Sequence, residues 1–409
     1  MRRFGRSSRI LLALTTVGSM TTAGLIASTP AALADGPGSG TPWVVSVGDS
    51  YISGEAGRWA GNTNMGESHI DALGSTAYYD NAADTAELIA RCHRSHSAEI
   101  YLGGGVNGVD FACSGAKTST FWDSSDNFKP GLDFYNDGGG DLGQALMLQN
   151  FAATHNVTMI AVSIGGNNFN FGSIVQTCVE DFLVSPSWWP AYCSHDSSVT
   201  GNFSSGNVST QVGAIVGALR NIHQAMANDG YADSMYKIVV QDYPDPIPNS
   251  TGFRYSQSGY TRQSTGGCGF WNTDANWANS TALPTIDNAV FSAAAGSGLS
   301  NVVTLQLSSA FNGRRLCENT VGLLEEENLN SWTDPGAQNA TEWINQIRTV
   351  STIGSDYYIQ ESLHPNYWGQ LALRNCVRQA YNNGSVRGGT CNIAGTGLDG
   401  LGEPLMYLH

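Results

Sequence analysis

Positive charge is scarce in this chain: 19 lysines and arginines stand against 34 aspartates and glutamates among 409 residues. A surface so short of cations cannot neutralise a row of phosphates, which excludes nucleic acid as a partner and argues against electrostatic attraction to anionic membranes. Metal-binding spacings are missing as well. No C-x-x-C and no H-E-x-x-H occurs, so neither a metal nor any other cofactor is expected. The G-x-S-x-G signature of a nucleophile elbow is absent too, which speaks against an α/β-hydrolase. No charged or proline-rich linker divides the chain, and no internal repeat is visible.

Four of the few cations lie at the start. Arg2, Arg3, Arg6 and Arg9 precede an apolar stretch from Ile10 to about Ala27, and Ala32-Leu33-Ala34 has the small-x-small form of a cleavage site. Residues 1–34 therefore read as a secretory signal peptide. A membrane anchor fits less well, because Thr, Ser and Gly dilute the stretch and no stop-transfer charge cluster follows. The segment holds no acid, so its removal leaves 15 basic residues against 34 acidic ones, a net charge of −19. Residues 35–409 are read as a single domain with long Gly- and Asn-rich loops, although ordinary domain sizes leave two open. The expectation is a secreted, extracellular monomer.

Cysteine usage agrees with export. Cys92, Cys113, Cys178, Cys193, Cys268, Cys317, Cys376 and Cys391 are an even set, for which disulfides are the default reading. Many connectivities are open in principle. Pairing near neighbours in order is the simplest: Cys92 with Cys113, Cys178 with Cys193, Cys268 with Cys317, Cys376 with Cys391.

Short runs rich in Val and Ile occur at Trp43 to Val47, Val109 to Ala112, Val157 to Ile164, Lys237 to Gln241 and Val302 to Leu307. Continuous apolar runs fit strands buried on both faces of a parallel sheet. Between them, helical periodicity marks Leu142 to Thr154, Val208 to Asn228, Ile286 to Ala295 and Thr341 to Val350, and a last helix is expected at Tyr367 to Tyr381. This alternation predicts an α/β fold with a doubly wound parallel sheet of about five strands. In such sheets ligands bind beyond the carboxyl ends of the strands, so reactive residues should follow strands.

Ser50 meets that demand, in "VVSVGDSYISGEAG". Alone, Gly-Asp-Ser favours a capped turn over a reactive serine, since a serine needs a base before it becomes a nucleophile. Gly115 follows the second run in "DFACSGAKT", where a glycine lets the backbone approach a ligand and turn its N–H outward; an ordinary turn glycine would look the same. Asn167 and Asn168 follow the third run in "MIAVSIGGNNFNFG", and an asparagine N–H there can stabilise an oxyanion. In "QESLHPNYWGQ", His364 offers a base at a helix start, and Glu361 offers a carboxylate to orient it. His69, His93, His96, His155, His195, His223 and His409 lack such neighbours and are read as structural or exposed.

In this order, Gly48-Asp49-Ser50-Tyr51, Gly115, Gly165-Gly166-Asn167 and His364-Pro365-Asn366 resemble the four blocks of the SGNH, or GDSL-like, hydrolase family. "CHRSHSAEIYLG", "FNGRRLCE" and "HPNYWGQLALRNC" are similar to its secreted bacterial lipase and phospholipase branch, and the likeness spans about Trp43 to Cys376. The resemblance implies a flavodoxin-like three-layer α/β/α sandwich with long disulfide-pinned loops. It implies Ser50 as nucleophile, His364 as general base and acid, and an oxyanion hole of the Ser50 and Gly115 N–H groups with the Asn167 side chain. Local disulfides are also usual in that branch, and the Cys376 and Cys391 pair with the Gly-rich tail from Asn383 to His409 would be an addition. Two positions depart from the pattern: Asn168 replaces an aspartate in the third block, and Glu361 stands where the last block carries aspartate. If Glu361 completes a triad, Glu361→Gln lowers kcat well beyond tenfold; some members use a main-chain carbonyl instead.

The implied activity is hydrolysis of lipid or phospholipid acyl esters through an acyl-serine intermediate, with at most transient contact with lipid surfaces. Carbohydrate or aromatic-acid esters are the alternative within the class, and non-catalytic binding of glycan or lipid the alternative outside it. Trp188, Trp189, Trp271 and Trp277 fall in the large expected loops from Cys178 to Phe203 and Tyr243 to Ala282, and can serve an acyl pocket, a lipid surface or packing.

Overall fold

Seven strands form the central sheet of the computed structural model, which describes residues 35–348 and 359–409. The expected signal over 1–34 lies outside the described residues. The strands are β1 Pro42–Gly48, β2 Asn107–Asp110, β3 Asn156–Ser163, β4 Lys237–Gln241, β5 Val302–Gln306, β6 Gly389–Leu398 and β7 Pro404–Leu408. Their spatial order is β2-β1-β3-β4-β5-β6-β7, parallel throughout except for the last pair.

Both faces of this sheet are covered, and the strand residues divide between them. Val44, Met159, Ala161, Val239 and Leu305 pack into one core, which takes in helix α3 (Phe171–Val184) and helix α6 (Tyr367–Tyr381). Val45, Val47, Ile160, Val162, Ile238 and Val240 pack into the other, beneath α2 (Gln144–Ala152), α4 (Ser205–Asn228) and α5 (Leu283–Gly296). Strands buried on both faces need apolar residues at every position, which is why these runs do not alternate with polar residues. The fold is the expected three-layer α/β/α sandwich.

Several expectations need correction. The second strand ends at Asp110 rather than running to Ala112, because the Asp110 carboxylate accepts from both Ser46 Oγ and the Ala112 N–H, each at 2.8 Å, and so ends the ladder. No helix occupies 341–348: Trp343, Asn345 and Ile347 donate their N–H groups to Arg314, His364 and Gly267 instead, three separate loops; residues 349–350 lie outside the described residues. Helix α3 occupies part of an expected loop, with Cys178 inside it. The C-terminal tail, for which no strand is expected, forms the sheet's far edge. Leu305 and Gln306 pair with Gly389 and Thr390, and Arg378 on α6 forms an ion pair with Glu403.

All four near-neighbour disulfides are present. Among the described residues, no helix is long and apolar enough to cross a membrane.

Candidate active site

The order of strands reverses between β1 and β3, since the chain moves from β1 out to β2 and then returns to β3 on the other side. Such a switch leaves a crevice at the carboxyl edge. Ser50 follows β1 there, and Asn167 follows β3.

Local chemistry explains the sharp exit of Ser50. Gly48 has φ near 141°, and a Cβ at that position would lie 1.9 Å from the Ser163 carbonyl oxygen, so only glycine allows β1 to run this close to β3. Gln144 completes the turn: its Oε1 accepts from the Gly48 N–H at 2.7 Å and its Nε2 donates to the Gly48 carbonyl at 2.9 Å. Asp49 caps the short helix α1 (Ser50–Ser53) by accepting the Tyr51 N–H at 3.2 Å. Its other oxygen takes the Tyr243 hydroxyl, which itself accepts the Gly166 N–H at 3.0 Å. Ser50 is therefore both a first-turn residue of a capped helix and a displayed hydroxyl.

His364 Nε2 lies 2.7 Å from Ser50 Oγ, and its Nδ1 lies 3.0 Å from the Ser362 carbonyl oxygen. A carbonyl can only accept, so Nδ1 carries the proton and Nε2 is left to receive the serine O–H. The turn that delivers the ring is strained. Leu363 has φ 62°, a left-handed conformation rare for a branched side chain, and it persists because its N–H and C=O are both engaged, by Asn345 O and by the Tyr51 hydroxyl. Asn366 then caps α6, accepting from the Trp368 and Gly369 N–H groups.

Glu361 does not take the third place of a triad. Its buried carboxylate accepts the Trp59 indole N–H at 2.9 Å and the Tyr78 hydroxyl, while the Ser362 carbonyl occupies His364 Nδ1. Burial and the nearby Glu55 charge push the Glu361 carboxyl above the ordinary range. Glu361→Gln keeps an acceptor for Trp59 and is expected to leave kcat within about threefold of the parent, since His364 is oriented through Ser362; a loss beyond tenfold in steady-state assays would return Glu361 to the triad.

Behind His364 sits a second buried group. His93 Nδ1 lies 2.8 Å from Glu55 Oε1, Tyr78 stacks on the His93 ring at 4.5 Å between centroids, and Glu55, His93 and Glu361 offer ligand-type atoms within 4.8 Å of one another. Burial opposes charge on both partners, but the His93 charge and hydrogen bond hold Glu55 below its usual value, and Glu55 raises His93. The charges of this pair act on the His364 imidazole. Burial lowers the His364 pKa, and the Glu55 charge offsets only part of that effect. A lowered base stays neutral and active further into acid, so the acid limb of kcat/KM on a soluble ester is expected to have its midpoint below the ordinary histidine value of about 6.5. A midpoint above that value would contradict the assignment of His364.

The remaining expected groups converge on the same cleft. Ser50, Gly115, Asn167 and His364 line one cavity of about 500 Å³. Gly115 has φ 81°, and the Cys92–Cys113 disulfide with the Ser114 N–H bond to Cys92 O at 2.9 Å fixes its loop. Among the described residues, neither the Ser50 nor the Gly115 N–H donates to a protein acceptor. Asn167 Nδ2 places one hydrogen on the Ala116 carbonyl at 3.0 Å, leaving the other for a ligand. Asn168, the departure from the family pattern, accepts the Thr118 N–H and donates to Thr118 Oγ1 and Gln211. An aspartate could not make both kinds of bond, so the amide braces the loop after Gly115.

Sequence reasoning missed Ser362, Gln144, Tyr243 and the Glu55–His93 pair. A main-chain carbonyl leaves no side-chain signature, and the others join the site only through contacts remote in sequence.

No protein-family model matches the chain, and no curated protein matches it. Among solved structures it is similar to an extracellular lipase from Streptomyces rimosus, at 16% identity and TM-score 0.42 over 83% of this chain and 100% of that one. It is similar to a carbohydrate esterase family 2 enzyme with a carbohydrate-binding domain from Corynascus thermopiles (Myceliophthora fergusii), at 13% identity and TM-score 0.39 over 85% and 67%. A third similar structure is the lipase Lip_vut3 from a goat rumen metagenome, at 12% identity and TM-score 0.32 over 83% and 97%.

Proposed function

We propose that this chain is a secreted serine carboxylic-ester hydrolase of the SGNH kind, acting on lipid or phospholipid acyl esters. The observation that carries the reading is the alignment of Ser50 Oγ, His364 and the Ser362 carbonyl, at 2.7 and 3.0 Å, beside the Asn167 amide. Ser50 Oγ attacks the ester carbonyl carbon while His364 Nε2 takes its proton. The oxyanion is met by the Ser50 and Gly115 N–H groups and by Asn167 Nδ2. His364 returns the proton to the leaving alcohol, an acyl-serine remains, and water activated by the same imidazole releases the acid and restores Ser50.

The cleft supports an apolar acyl group. Phe171, Val175, Val179 and Leu183 recur every four residues along α3, so they form one row that begins beside Ser50. Twelve residues of helix span about 18 Å, the reach of a long acyl chain. Narrower apolar crevices between Phe171, Leu283 and Ile286 lie beneath the same site. A short acetyl group on a sugar would leave this row bare. Export is supported by the four disulfides, which persist in oxidising compartments.

The test is a panel of nitrophenyl esters of short and long acids, acetylated sugar, triglyceride, phosphatidylcholine and lysophospholipid, with product analysis. Long acyl chains are expected to be cleaved with kcat/KM about tenfold above short ones, each methylene adding to burial in the cleft. Preference for the acetylated sugar would remove the lipid assignment. A parent that cleaves no ester would remove the hydrolase reading.

A further inference from the structure

The apolar row of α3 does not stop at the cleft. Leu183 lines it and is also 39% exposed, and directly beyond it Val184, Trp188 and Trp189 are 78%, 81% and 75% exposed. Tyr260 joins them, its ring edge-on to Phe182 at 6.1 Å. Five of the eleven large apolar side chains that stand exposed among the described residues thus fall in one patch, where random scatter would spread them over the surface. The other two expected loop tryptophans behave differently: Trp271 is buried against Phe182, and Trp277 packs edge-on to Phe203.

The turn carrying Trp188 and Trp189 is built to hold its shape. The Cys178–Cys193 disulfide ties its far end back to α3, the Trp189 N–H donates to Pro186 O at 2.8 Å, and the Ala191 N–H donates to Ser185 Oγ at 3.0 Å. Two indoles are therefore held out in water by an ordered scaffold. An indole in that position gains most at a boundary that is apolar on one side and wet on the other.

We propose that this patch docks the protein on an electrically neutral lipid surface, with Trp188 and Trp189 as the anchors, so that an acyl chain leaving the surface enters the row Leu183, Val179, Val175, Phe171 toward Ser50. The inference rests on the ester-hydrolase reading for its purpose, and on the continuity of patch and cleft through Leu183 for its geometry. Charge selects the kind of surface. Residues 171–195 contain no lysine or arginine, Glu180 and Asp181 flank the row, Arg348 is the cation that lines the cleft beside Leu183, and the chain outside residues 1–34 carries 15 basic against 34 acidic residues, a net −19. An anionic surface would repel this face, whereas a zwitterionic one would not.

The experiment compares the full secreted chain with its Trp188→Ser/Trp189→Ser variant on phosphatidylcholine vesicles, with and without phosphatidylglycerol, by co-sedimentation. Hydrolysis of vesicle lipid and of a water-soluble short-chain nitrophenyl ester is measured alongside. The parent is expected to bind phosphatidylcholine vesicles more tightly than anionic ones at low salt. The variant is expected to lose at least tenfold in vesicle affinity and in hydrolysis at limiting vesicle, while soluble-ester turnover stays within twofold and reports an intact fold. Equal vesicle affinity of parent and variant overturns the proposal, as does preference for anionic vesicles. A parent dimer in sedimentation that the variant abolishes would reassign the patch to self-association. Soluble-ester cleavage without vesicle binding would leave the hydrolase reading standing and sink this one; vesicle binding without cleavage of any ester would do the reverse.

Discussion

Ser50→Ala is expected to lower kcat on every ester substrate by roughly 10⁴-fold or more, because the proposed nucleophile and its base act as one unit. The hydroxyl stands 2.7 Å from His364 Nε2, and no other serine or threonine hydroxyl is bonded to that nitrogen among the described residues. His364→Ala is expected to cause a loss of the same order, and the double variant little more than either alone. Steady-state kinetics on a soluble ester, with the folded state checked by circular dichroism, measure all three. A Ser50→Ala protein with a tenth of the parent rate would show that the hydrolysis does not proceed through this serine.

Asn167→Ala is expected to lower kcat by roughly 10²–10³-fold with KM nearly unchanged, the signature of a donor used in the transition state. Its geometry explains the size of the effect. One amide hydrogen is held by the Ala116 carbonyl at 3.0 Å, so the other is already aimed before substrate arrives, and no reorganisation accompanies the reaction. Equal losses in kcat and in substrate affinity would instead make Asn167 a ground-state binding group. Gly115 cannot be tested as simply: at φ 81° any side chain strains the backbone, and a loss there would mix folding with catalysis.

Much of the architecture was legible because its cause is local. Five of the six parallel strands are marked by short apolar runs, four of them rich in Val and Ile, and Tyr367–Tyr381 begins where Asn366 and Pro365 mark a helix start. Thr341 to Val350 misled for the opposite reason. Its residues carry helical spacing, but the backbone of 341–348 finds its partners in three distant loops, and those contacts override local preference. The tail from Asn383 to His409 gives no strand signal because Gly-rich segments are poor strands in isolation, whereas the exposed edge of β5 and the Cys376–Cys391 bridge recruit Gly389 and Thr390 to the sheet. The splitting of the four loop tryptophans into a packed pair and an exposed pair depends on which loop faces which, information absent from composition.

By itself the sequence indicated the Val- and Ile-rich strands and the helix that opens at Tyr367, offered near-neighbour pairing as the simplest of many disulfide patterns, and placed Ser50, Gly115 and Asn167 after strands and His364 before a helix. These follow from rules with short range: hydrophobic period, turn chemistry, and the demand that a parallel sheet display its ligand groups at the carboxyl edge. Only the tertiary structure decided that His364 is oriented by the Ser362 carbonyl rather than by Glu361. It also turned Asn168 into a brace, brought the Glu55 and His93 charges to bear on His364, and ran an apolar row along α3 from Phe171 beside Ser50 to Leu183. Each of those depends on where an atom points after segments remote in the chain have packed together, and a directional hydrogen bond of about 3 Å cannot be read from residue types alone.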